Sequence, residues 1–136
     1  MDWKLELIIM PVSDIDRAKA FYAERCGWAV DVDFEAGDFR IVQLTPPGSA
    51  CSISLMRNEE KAGTLGGLHI VVPDIDQARE ELVKGGVDVT GPYHFGGPGG
   101  AQVDGHDPKR GDFGTYLDFQ DPDGNSWLIQ EVPSRA

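Results

Sequence analysis

Three histidines, an aspartate and a tyrosine are the side chains of this 136-residue chain best suited to acid–base chemistry. His69 sits inside an apolar run, His94 closes another, and His106 stands in a glycine-rich segment. Tyr116 and Asp118 alternate with Leu117 and Phe119, so strand periodicity puts the tyrosine and the aspartate on one face. An aspartate among apolar neighbours is pushed toward its neutral form unless a partner is supplied. Paired with His69 or His94, Asp118 would move a proton beside a carbonyl, which is isomerase, epimerase or lyase chemistry. The bland alternatives are a satisfied core histidine and an aspartate at a strand edge.

Other patterns are weaker. Asp31, Asp33 and Glu35 open like a calcium loop, but Ala36 replaces the turn glycine and Val42 the closing glutamate. A solvated strand edge is the reading that remains. Cys26 and Cys51 have no metal or redox spacing and read as reduced thiols. Residues 95–114 hold seven glycines and two prolines along with His106, Lys109, Arg110 and Asp112. No phosphate-loop motif occurs there, so a binding loop, a lid or a plain surface insertion are the readings.

The formal net charge of −11 disfavours nucleic acid and anionic membrane surfaces as partners. No apolar run approaches the ~20 residues of a membrane span, and no signal-peptide pattern opens the chain. The cytoplasm is therefore the expected compartment, and a small molecule the expected partner.

The elements that position these residues come from a repeat. Asp14-Ile15-Asp16-Arg17-Ala18 returns sixty residues later as Asp74-Ile75-Asp76-Gln77-Ala78. Each copy follows an apolar run and opens a helical pattern, with an aspartate placed to cap it. Gly27 and Gly86 close the two helices. In the first copy the periodicity predicts strands over 4–12, 28–36, 39–44 and 50–56. In the second it predicts strands over 67–72, 87–93, 116–120 and 125–132. The fold class is α+β: two tandem βαβββ modules, 1–58 and 65–133, joined by linker 59–64 within one domain 1–136.

With that order in place, the chain resembles the vicinal oxygen chelate superfamily, which includes glyoxalase I, bleomycin-resistance proteins, extradiol dioxygenases and fosfomycin-resistance enzymes. The likeness lies in Pro11-Val12-Ser13-Asp14-Ile15-Asp16-Arg17-Ala18 with Phe21-Tyr22, in Val72-Pro73-Asp74-Ile75-Asp76, and in Asp121-Pro122-Asp123-Gly124-Asn125. The resemblance implies a curled mixed sheet around a concave site, often in a homodimer. Metal-dependent members bind a divalent ion there through His or Gln on each first strand and Glu on each last strand. The matching positions are Leu7, Gly67, Leu128, and Ser52 or Ser54, none of them a good ligand. No metal and no other cofactor is therefore expected. His69 falls on the concave face two residues after Gly67, as base, substrate contact, displaced ligand or buried structural residue. Gln130 shares the face of Leu128. The expected catalytic set is His69, His94 and Asp118, and the expected ligand contacts are Tyr116, Gln130, Leu7, Leu128 and His106. Sequestration of a drug or metabolite is the alternative to acid–base catalysis, and an acidic protein suits a cationic drug such as bleomycin. A metal enzyme with displaced ligands is the third reading.

Overall fold

A computed structural model describes residues 1–136, which form two mixed sheets with few helices in two compact units. The first unit is Met1–Leu65 with Asp121–Asn125, and the second is Gly66–Gln120 with Ser126–Ala136.

In the first unit, strands β1 (Leu7–Val12), β2 (Ala29–Ala36), β3 (Phe39–Thr45) and β4 (Ser52–Arg57) lie in the order β1-β4-β3-β2, with β1 parallel to β4. Residues 4–6, expected in β1, stay outside the strand. Met10, Val12, Val42, Leu44, Ile53 and Leu55 are buried on the side of helix α1 (Ile15–Ala20). The helix starts where expected, because the Asp14 carboxylate accepts the Arg17 N–H at 3.0 Å. Its last turn widens into a π-helical turn over Phe21–Arg25, closed at Gly27, whose φ is 78°. Asp33 is held by Arg40 and Lys19, and Asp31 accepts the Thr45 hydroxyl, so two of the triplet's three carboxylates are spent on strand-edge contacts.

The turn Asp121–Asn125 completes this unit. One Asp121 oxygen accepts the N–H groups of Asp123, Gly124 and Asn125, each at 3.0 Å. The other accepts the Tyr22 hydroxyl and the Asn125 amide, both at 2.9 Å. Asp123 takes the N–H and hydroxyl of Ser13 at 3.0 and 2.5 Å, just ahead of α1.

The second unit orders its strands β5 (Leu68–Val72), β9 (Ser126–Glu131), β8 (Tyr116–Gln120), β6 (Val89–Phe95) and β7 (Gln102–Asp104), with β5 parallel to β9. Strand β7 is additional to the predicted module and forms inside the glycine-rich segment. Helix α2 (Ile75–Lys84) is capped by Asp74 and packs Ile75 and Leu82 into a core with Leu117, Phe119, Trp127 and Ile129. The opposite face of this sheet, the open face, carries the other parity of β5, β8 and β9.

Strand β6 departs from simple alternation. Thr90 pairs with Asp118, but the register then shifts and Tyr93 pairs with Tyr116. An uninterrupted strand would turn Tyr93 and Phe95 toward α2 and His94 toward the open face. The irregularity at Gly91-Pro92 reverses all three. Gly91 has a φ of 110°, and a Cβ there would lie 2.7 Å from the Tyr116 carbonyl, so only glycine fits.

Candidate functional site

Direct cross-strand pairs share a face, so the register alone assembles the open face of the second unit. One row runs His69, Leu128, Asp118 and Thr90 across β5, β9, β8 and β6. The next runs Val71, Gln130, Tyr116, Tyr93 and Asp104. Phe95 extends the second row along β6. Five of the residues singled out in the sequence, His69, Asp118, Tyr116, Gln130 and Leu128, thus stand on one surface.

Its centre is aromatic. Tyr93 stacks on Tyr116 with ring centroids 5.8 Å apart, and Phe95 meets them edge-on at 6.0 and 5.2 Å. The buried Tyr93 hydroxyl donates to Asp118 Oδ2 at 2.8 Å. Burial, with the Asp118 carboxylate beside it, raises the Tyr93 phenol well above its ordinary value and keeps it a hydrogen-bond donor. Tyr93 and Phe95 were not among the residues expected here. The signal that would have found them is a Gly-Pro pair inside an apolar run, which marks a bulge and a change of face.

The histidines are separated from Asp118. His69 lies one strand beyond Leu128, which puts its backbone roughly 9–10 Å from that of Asp118. Its Nδ1 is 2.8 Å from the Gly67 carbonyl; a carbonyl only accepts, so Nδ1 carries the proton and Nε2 is left to the open face. His94 lies on the other side of its strand, where Nδ1 donates to the Gly105 carbonyl at 2.8 Å. His106 donates through Nε2 to Asp76 in the first turn of α2 at 2.7 Å.

The rest of the glycine-rich segment is fastened on that same helical side. Arg110 makes two bonds of 2.8 and 2.6 Å to Glu131, a carboxylate with no solvent exposure that also accepts the Ile75 N–H at 2.9 Å. Arg110 holds the Glu131 carboxyl below the usual carboxylate range, ahead of the opposing effect of burial. Asp112 accepts the N–H and hydroxyl of Ser134. Arg110 and Phe113 have φ values of 48° and 62°, a left-handed backbone kept in place by these contacts.

The superfamily's metal positions do not fit a metal. Leu7 pairs with Ser52, whose hydroxyl is bonded to Thr45, and Leu128 stands between His69 and Asp118. Leucine offers no donor and serine a poor one, and nowhere do three His, Cys, Asp or Glu side chains gather around one point. No step is derived through a metal.

The comparisons agree with this architecture. Residues 4–129 match the family described as the Glyoxalase/Bleomycin resistance protein/Dioxygenase superfamily. TnmS3, an antibiotic binding protein from Streptomyces sp. CB03234, is 28% identical with a TM-score of 0.75, covering 96% of this chain and 97% of its own. A glyoxalase/bleomycin resistance protein from the same organism is 29% identical with a TM-score of 0.69, covering 94% and 100%. The uncharacterized protein YetH of Bacillus subtilis (strain 168) is 24% identical over 121 residues, 88% of this chain and 91% of its own. The chain belongs to the glyoxalase/bleomycin resistance protein/dioxygenase superfamily.

Proposed function

We propose that the chain binds a small organic molecule on the open face of the second unit and sequesters it rather than transforming it. The observation that carries this is the triad of Tyr93, Phe95 and Tyr116, beside a carboxylate whose Oδ2 holds the Tyr93 hydroxyl. Rings held in place stack on a flat guest with little ordering cost. His69 and Asp118 do not form an acid–base pair by direct contact, because the strand of Leu128 separates them. Likeness to an antibiotic binding protein supports the same reading. The finer expectations follow with it: a cytoplasmic protein, and a homodimer, since Ile9, Phe34 and Phe39 leave apolar surface on the first sheet about half exposed.

A second reading keeps His69 as a base, favoured by its uncommitted Nε2 on the binding face. A thermal-shift and titration screen of aromatic antibiotics, bleomycin included, decides between them. Sequestration is supported when binding survives His69→Ala, fails in Tyr116→Ala, and the guest is recovered unchanged. Conversion of the guest that stops in His69→Ala establishes the enzyme instead. Sedimentation at several concentrations tests the dimer.

A further inference from the structure

We propose that the guest carries a protonated amine on an aromatic body and that Asp118 selects for that charge; this rests on the small-molecule reading above. The charged strand residues of the open face are Asp104 and Asp118, and no Lys or Arg joins them. Arg110, the cation ion-paired beside α2, lies on the other side of the sheet on Glu131. A carboxylate or phosphate guest would meet two negative charges and no counter-charge on these strands.

The geometry around Asp118 is that of a cation site with an aromatic wall. Tyr93 fixes Oδ2, and Oδ1 takes no hydrogen bond from the protein. The rings stand along the face from it: Tyr93 and Tyr116 stack on one another in the next row, with Tyr116 partly exposed, and Phe95, 46% exposed, lies beyond them. An ammonium on Oδ1 gains a charge-assisted hydrogen bond, and an aromatic body joined to it reaches the rings of the next row. The aromatic body lies along Phe95. Leu128, next to Asp118 in the row, keeps the floor apolar, so the carboxylate has no second cation to satisfy it.

Titration calorimetry with three guests of one shape tests this: 2-naphthylmethylamine, 2-naphthylmethanol and 2-naphthoate. The amine is expected to bind about tenfold tighter than the alcohol, and the naphthoate more weakly than either. In Asp118→Asn the gap in affinity between amine and alcohol is expected to close, whatever the affinity of the alcohol itself. Should that variant not fold, the wild-type gap between amine and alcohol is measured at about 50 and 500 mM salt, where an ionic contact shrinks it. Equal affinity for amine and alcohol overturns the charge selection and leaves the binding face standing. Failure of all three to bind overturns both.

Discussion

Arg110→Ala isolates the contact that holds the glycine-rich segment. Glu131 is fully buried and accepts two bonds from Arg110 and one from the Ile75 N–H at the start of α2. Removing one partner of a buried ion pair costs about 3–5 kcal/mol, because the other charge stays desolvated. Arg110 is itself 43% exposed, so water reaches its side of the pair and the cost falls to about 2–3 kcal/mol. The backbone supplies an internal control. At a φ of 48°, alanine bears a left-handed penalty that glycine escapes, so Arg110→Gly is the milder change by up to about 1 kcal/mol. The acid limb gives a second readout. Arg110 lowers the Glu131 carboxyl below its ordinary value of 4.5, so the pair stabilises the fold fully above that pH. That contribution is lost as pH falls through the lowered native value, and Glu131→Gln flattens the limb. Urea melts of wild type and the three variants between about pH 3 and 7 measure all of it. An Arg110→Ala variant within about 0.5 kcal/mol of wild type would refute the reasoning, as would an unchanged acid limb in Glu131→Gln.

Two further outcomes are expected. Gly91→Ala sets a Cβ 2.7 Å from the Tyr116 carbonyl at a φ of 110°, so it lowers the melting temperature by several degrees, costing about 2–3 kcal/mol. Because the clash lies beside the Tyr93–Tyr116 pair, its near-ultraviolet circular dichroism changes as well. Burial, helped by Asp121, pushes the Cys26 thiol up to about 12, so at pH 8 it reacts with a thiol reagent far more slowly in the native protein than in urea. Equal rates in the two states contradict its burial.

The parts of the fold that local chemistry specifies were readable from residues. Asp14 and Asp74 both cap the helices they precede, and Gly27 and Gly86 both take positive φ beyond them. Alternation placed Tyr116 with Asp118 and Leu128 with Gln130, because neither strand is interrupted, and the register then joins the two pairs on one face. Reasoning by alternation fails where the register shifts. Nothing local in Tyr93, His94 or Phe95 says which way each points; Gly91-Pro92, upstream, decides it. The clasp of Arg110 on Glu131 joins residues 21 apart through the fold and leaves no periodic trace. The π-helical turn at Phe21–Arg25, where Phe21 and Tyr22 are buried, is not encoded by an amphipathic stripe.

The turn between β8 and β9 has a consequence for how the protein can be divided. Its five residues are made by the second repeat yet complete the first unit. A fragment ending at Leu65 would leave the Tyr22 hydroxyl without Asp121 and the entry to α1 without Asp123. The halves echo one another in sequence, but the first is not a self-sufficient module. Any ancestral single-repeat protein must have supplied that plug from elsewhere, and a split version of this chain should work only when both pieces are present together.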